Sequence, residues 1–312
     1  MAASITARST RGARLAAVLL LAVCVSAMAA PVTVTDDTGT PVHLDHPAGR
    51  IVSLAPHVTE MLFDIGAGKR IVGAVSYSDY PLAAQAIPRV GSYASLDYER
   101  ILSMHPDLVI AWSSGNGRAA VQQLRKLGLT VYVSEPRRLD DVARSLRRFG
   151  RLTGNEHRGS RAAAGFEQRR HRLARQYAGK SPVSVFYEVW KQPLTTVNGE
   201  HLISHVIRLC GGRNVFAALD TLAPAVSVEA VIEADPDVIV ASGMGDERPG
   251  WLDNWKQWSS ITAVKQDNLY FIPPELIQRQ TPRVLDGAAR LCRQLDSARG
   301  KLEPQMNTDK HR

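Results

Sequence analysis

Short apolar runs rich in β-branched residues alternate along the chain with stretches whose apolar positions recur every three or four residues. Ile51-Val-Ser-Leu54, Ile71–Val75, Asp107-Leu-Val-Ile-Ala-Trp112 and Thr130–Val133 read as strands. Helices are predicted between them, over about Val58–Ile65, Leu96–Met104, Ala119–Leu127 and Leu139–Thr153. After Pro182 the alternation restarts: a strand at Val183–Tyr187, a helix over Ile203–Leu209, and strands at Asp237–Ala241 and Asn268–Ile272. Such alternation predicts an α/β fold with mostly parallel sheet rather than a sandwich.

The stretch from Glu156 to Tyr177 breaks this rhythm. It has no proline, and Ala163, Phe166, Leu173 and Tyr177 fall on one stripe of a single long helix. Its other face carries Arg158, Arg161, Arg169, Arg170, Arg172 and Arg175 and is expected to be largely solvated. On either side lies an ungapped repeat. Glu99-Arg-Ile-Leu-Ser-Met-His-Pro106-Asp107-Leu-Val-Ile-Ala111 aligns on Glu229-Ala-Val-Ile-Glu-Ala-Asp-Pro236-Asp237-Val-Ile-Val-Ala241. Each copy reads as a helix, a Pro-Asp turn and a buried strand. The expected architecture is two similar α/β lobes joined by one long interdomain helix, with a ligand cleft between the lobes. A glutamate at the start of each repeated helix also suits the positive end of that helix.

Length and charge refine this picture. At roughly 150 residues per domain, 312 residues accommodate two lobes with substantial cores. The formal charge of +8 raises nucleic acid or a membrane surface as partners. Three of those charges, Arg8, Arg11 and Arg14, precede the short apolar run Leu15–Val25 and the Ala27-Met-Ala29 site. That is the layout of a secretory signal peptide cleaved before Ala30, which lowers the charge to +5. A lipid-modified Cys24 is disfavoured by bulky Val23 before it. No later apolar run is long enough to span a bilayer. The basic helix lacks interleaved aromatics, so nucleic-acid binding is not expected. The expected divisions are residues 1–29 as signal, 30–155 as first lobe, 156–179 as linking helix, and 180–312 as second lobe with tail. Cys210 and Cys292 remain after cleavage, as a disulfide or as two buried thiols.

Evidence for catalysis is thin. No nucleophile elbow, phosphate-cradling glycine loop or acid–base dyad is present, so an enzyme is not expected. His201-x-x-x-His205 has metal-ligand spacing but no third ligand, and is expected to face solvent. No metal site or resident cofactor is expected. His57 opens the first helix, either towards the cleft or as a helix cap.

Five motifs in order resemble one family: Val75-Ser-Tyr77-Ser-Asp79-Tyr80-Pro81, Glu99-Arg-Ile, Pro106–Trp112, Cys210-Gly-Gly-Arg-Asn-Val-Phe216 and Thr281-Pro-Arg283. The chain resembles, from about Arg50 to Asp296, the periplasmic solute-binding proteins with a rigid helical backbone that serve ABC importers of metal chelates. Within them it is most similar to the cobalamin-binding branch. The resemblance implies a periplasmic, monomeric carrier whose cargo is cobalamin and whose partner is the importer's permease dimer in the inner membrane. It implies ligand contacts at Tyr77, Tyr93 and Trp112, with Glu275 and Arg279 in a polar loop of the second lobe. Aromatic faces suit a corrin ring and polar groups suit its amide rim. Glu99 and Glu229 match the family's two docking acids, one per half of a two-fold permease. Cys210 and Cys292 match its cysteine pair, which implies a disulfide.

The chain also departs from that pattern. Ala223, Thr195 and Leu276 stand where the branch has aromatics in the second lobe. Trp190, or the cluster Trp251, Trp255 and Trp258, is the expected substitute. The same fold could carry haem, a ferric siderophore or another chelate, and a two-lobed periplasmic enzyme is the alternative of another class. A single helical connection predicts small lobe displacements.

Overall fold

The computed structural model describes residues 1, 30–243 and 247–309. The segment read as an export signal otherwise lies outside the described residues. An antiparallel hairpin, β1 (Val32–Thr35) and β2 (Pro41–Leu44), comes first. The first lobe follows as β3 (Ile51–Ser53), α1 (Pro56–Asp64), β4 (Ile71–Ala74), α2 (Tyr98–Ser103), β5 (Leu108–Trp112), α3 (Ser113–Lys126), β6 (Val131–Ser134) and α4 (Leu139–Leu152). Helix α5 (Glu156–Tyr177) leads to the second lobe. That lobe comprises β7 (Val183–Glu188), a small hairpin of β8 (Trp190–Lys191) and β9 (Leu194–Thr195), α6 (Leu202–Leu209), β10 (Gly212–Asn214), α7 (Val228–Ala234), β11 (Val238–Ala241), α8 (Thr262–Lys265), β12 (Leu269–Phe271), α9 (Pro274–Ile277) and α10 (Val284–Asp309).

Each lobe holds a four-stranded, all-parallel sheet, in the order β4-β3-β5-β6 and β10-β7-β11-β12. Both faces are covered, as parallel strands require, and alternate residues divide between two cores. Ile51, Leu108 and Ile110 point to one side and Val52, Val109 and Ala111 to the other. In the second lobe Val185, Tyr187 and Val240 oppose Phe186, Ile239 and Ala241 in the same way. The shared side is one apolar cluster, running from Ile51 and Phe149 through Ala163, Phe166 and Tyr177 to Val185, Ile207 and Leu291.

The repeat is visible in three dimensions. Asp107 accepts the Arg50 backbone N–H at 3.1 Å, and Asp237 accepts the Ser184 backbone N–H at 2.7 Å. Asp97 caps α2 through Arg100 N–H, as Ser227 caps α7 through Ala230 N–H. His105 and Asp235, the matched residues before each Pro-Asp, both take left-handed backbone angles.

Helix α5 packs tightly on α4 where Gly150 and Gly159 meet. A Cβ on Gly159 would lie 2.6 Å from the Leu146 carbonyl oxygen. The expected apolar stripe is buried at Ala163, Phe166 and Tyr177. The basic face is less free than expected, because Arg169 pairs with Asp286 at 2.6 Å and Arg170 with Asp140 at 2.9 Å. Cys210, ending α6, is disulfide-bonded to Cys292 in α10, across a separation of 82 residues. Arg299 closes this corner by donating to the carbonyls of Ser181, Cys210 and Gly211. No helix among the described residues is long and apolar enough to cross a membrane.

Two local expectations need correction, and one element was not expected. The helix expected from Ala119 starts at Ser113 and breaks at Gly117, where φ is +78°. The N-terminal hairpin was not foreseen; Asp36 and Asp37 tie it to the backbone of Val133 and Glu135 at the end of β6. His201 and His205 are half-buried rather than freely solvent-facing. The His201 ring accepts the Ile203 N–H as the cap of α6, and burial, with His205 beside it, pushes its pKa down to about 4.

Candidate functional site

The carboxyl ends of parallel strands are where open α/β sheets present their ligands. In the first lobe, the turn after β4 throws Tyr77 outward at 66% exposure, with a φ of +64° that non-glycine residues seldom adopt. Tyr93 stands at the tip of a turn that Gly91 makes possible: a Cβ there would lie 2.2 Å from the Ser95 carbonyl oxygen. Trp112 ends β5. Asn116, which the sequence reading missed, clamps the supports of Tyr93 and Trp112 to the end of β3: it accepts the Trp112 N–H at 2.7 Å and donates to the carbonyls of Leu54 and Tyr93. Tyr93 and Trp112 are 6.1 Å apart, and the His57 ring meets Trp112 edge-on at 5.5 Å. One contiguous aromatic wall results.

His57 does not cap its helix and does not line this wall openly. It is 2% exposed behind Trp112, with Nε2 making no hydrogen bond. Burial, and then the nearby charge of Arg279, pushes its pKa down to about 3, so the ring is neutral at physiological pH.

Two arginines of the second lobe reach across to the first. Arg279 donates to Asp79 at 2.8 Å and to the Tyr77 carbonyl at 3.3 Å. Arg283 forms a bidentate pair with Glu60 of α1, at 2.8 and 2.9 Å, and lies 3.8 Å over the Tyr80 ring. Burial opposes the Arg283 charge, but the Glu60 bond and the charges of Glu60, Tyr80 and Glu275 raise its pKa overall. Glu275 sits half-buried in the first turn of α9. Tyr77, Asp79, Arg279 and Glu275 therefore belong to one neighbourhood. Glu60, Asp79, Tyr80 and Arg283 are additions to it. All but Glu60 lay inside motifs singled out in the sequence, without an assigned role.

The second-lobe tryptophans are arranged differently from expectation. Trp190 projects from the β8–β9 hairpin at 36% exposure. Trp255 belongs to the core, packs edge-on against Phe186 and donates its Nε1–H to Glu188 at 2.7 Å. Trp251 and Trp258 are half-buried and line, with Trp255 and Glu188, a cavity of about 180 Å³. Among the described residues no group of His, Cys, Asp and Glu is placed to hold a metal ion.

Glu99 and Glu229 occupy the first turns of α2 and α7, both exposed. The N–H of Glu229 itself and the Ser227 hydroxyl hold the Glu229 carboxyl below its ordinary pKa.

Comparison with known proteins agrees with this architecture. Residues 51–276 match the family described as periplasmic binding protein. The vitamin B12-binding protein of Vibrio cholerae serotype O1 is 37% identical over 253 residues, 81% of this chain and 91% of that protein. The Yersinia pestis protein of the same name is 34% identical over 250 residues, 80% of this chain and 87% of its own. The crystal structure of the Vibrio cholerae periplasmic vitamin B12-binding protein superposes with a TM-score of 0.75 at 36% identity, covering 81% and 98% of the two chains. A periplasmic haem-binding protein from Roseiflexus gives 0.71 at 26% identity, covering 81% and 99%. Paired parallel sheets joined by one long helix, with aromatics and arginines meeting at the strand ends, thus coincide with the sequence match: the chain belongs to the periplasmic binding protein family.

Proposed function

We propose that the protein is a periplasmic carrier that captures cobalamin between its lobes and delivers it to an ABC-type importer of the inner membrane. The observation that carries this reading is the contiguous wall of Tyr93 and Trp112 beside outward-turned Tyr77, facing the arginine-bearing loop of the second lobe. A flat macrocycle packs on such a wall, and its amide rim finds Glu275 and Arg279. Tyr77, Tyr93, Trp112, Glu275 and Arg279 are the assigned contacts, with Trp190 at the second-lobe edge. His57 orients Trp112 from behind. Naming of the relatives as vitamin B12-binding proteins supports the same cargo.

The reading includes an exported, monomeric chain made of a signal at 1–29, lobes at 30–155 and 180–312, and a link at 156–179. It is a carrier rather than an enzyme, and cobalamin is cargo rather than cofactor. Glu99 and Glu229 dock on the permease dimer, where charge pairing sets register and on-rate. Two exposed acids on pseudo-symmetric helices suit a two-fold partner.

Calorimetric titration of the mature protein with cyanocobalamin and with haemin tests the cargo. Saturable cobalamin binding is expected; absence of binding at micromolar cobalamin refutes it. Selective haemin binding would favour the chelate alternative, which the small second-lobe residues Ala223 and Thr195 motivate. Replacing Glu99 and Glu229 together by alanine should abolish transport and leave binding intact.

A further inference from the structure

The second lobe buries a carboxylate where the first buries a leucine. The repeat sets Ala111 on Ala241. Ala241 lies opposite Glu188, whereas the β3–β5 register, with Ser53 opposite Ile110, brings Leu54 beside Ala111. The aspartate staples give the same correspondence, since Arg50 and Ser184 each stand four residues before these positions. Leu54 is fully buried among valines, and Glu188 is 2% exposed.

Nothing in a sheet core calls for this substitution. A buried carboxylate is costly unless its oxygens are satisfied, and it offers about four lone-pair positions. Among the described residues Glu188 accepts one side-chain bond, from Trp255 Nε1, and pairs with no arginine, lysine or histidine. Its side chain instead borders the cavity walled by the indoles of Trp251, Trp255 and Trp258 together with Leu194. Aromatic faces around an acid are the ingredients of cation recognition.

We propose that this cavity binds a compact organic cation bearing N–H donors, a primary ammonium or a guanidinium, with Glu188 accepting its hydrogen bonds and the indoles covering its charge and alkyl stem. Val228, which also lines the cavity, immediately precedes exposed Glu229. A small free amine or guanidine is the source of the cation.

Burial pushes the Glu188 carboxyl up to about 7, against the Trp255 bond that lowers it. A cation requires the ionised form, so binding strengthens from pH 5.5 to pH 8. Among the described residues, Lys191, from β8, is the other ionisable residue lining the cavity. On the tryptophan-bearing segment, Asp253 is already paired with Arg248 and Lys256. Glu229 of α7 is exposed to solvent, and β10 and β11 add no ionisable group to the lining.

Tryptophan fluorescence of the mature protein at pH 8, titrated with butylammonium chloride and with N-acetylarginine amide, tests this. Butanol supplies the neutral control and sodium chloride the ionic one. Saturable quenching by a cation, at least tenfold tighter than by butanol, is expected. Tighter binding of the arginine derivative identifies a guanidinium as the preferred head group, and the reverse a primary ammonium. Glu188→Gln should weaken the cation at least tenfold, and Glu188→Leu should abolish its binding while the protein remains folded by circular dichroism. Equal response to butanol, an unchanged affinity in Glu188→Gln, or no saturable response overturns the proposal.

Discussion

The two lobes share a scaffold and differ at the ends of their strands. Asp107 and Asp237 staple neighbouring strands alike, Asp97 and Ser227 cap equivalent helices, and Glu99 and Glu229 stand at equivalent first turns. Where β5 ends in Trp112, its counterpart β11 is followed by Ser242, and where β3 leads into Leu54, β7 ends in Glu188. Within a helix–turn–strand unit the capping, turn and strand positions are held by hydrogen bonds or a two-sided core. Beyond the strand ends the backbone is held from below and the side chains are free to diverge, so ligand chemistry concentrates there.

The comparison can be broken or sharpened experimentally. The largest stability effect should follow Cys210→Ser with Cys292→Ser, about 2–5 kcal/mol by urea denaturation. Hydrogen exchange should then show α6 and α10 losing protection before β3 and β5; equal loss in both lobes would argue against separable lobe stabilities. Arg283→Ala leaves Glu60, 1% exposed, without its bidentate partner, and should cost about 2–4 kcal/mol.

The lobes should also respond oppositely to pH. Glu188 has a raised folded pKa, so its contribution is fully present below the ordinary 4.5 and is lost as pH rises through about 7. Glu188→Leu should therefore stabilise the protein by about 2–3 kcal/mol more at pH 8 than at pH 4, by thermal denaturation. His57 has a lowered folded pKa; its contribution is present above the ordinary 6.5 and fades as pH falls towards about 3. The smallest stability effect is expected for Arg279→Ala, under about 1 kcal/mol, because Asp79 is half-exposed. That variant should nonetheless weaken cargo binding measurably in the titration described above.

Much of the fold was legible because its signals are local. The helix, Pro-Asp turn and strand of each repeat declare themselves within thirteen residues, and the linking helix carries its own apolar stripe. Tyr77, Trp112 and Arg279 came from motif resemblance, and their common neighbourhood needed the fold. What stayed hidden depends on contacts distant in sequence. Glu60 and Arg283 are 223 residues apart. The burial of His201 and the core position of Trp255 depend on what packs over them. Asn116 sits in a Ser-Ser-Gly-Asn-Gly stretch that signals a turn but not a clamp. Glu188 lies one residue past the strand expected at Val183–Tyr187, and only its register with Ala241 exposes it as the counterpart of Leu54 in the first lobe.

The covalent link between α6 and α10 has a consequence for when the protein finishes folding. Such a bond persists in an oxidising compartment and is kept reduced in the cytoplasm. A chain still inside the cell therefore lacks the clamp on its C-terminal helix, and its second lobe is the looser half. Translocation machinery that threads unfolded polypeptide meets less resistance from such a chain. For a chain exported as proposed above, oxidation on the far side of the membrane would then act as a ratchet, fastening the C-terminal helix only after passage.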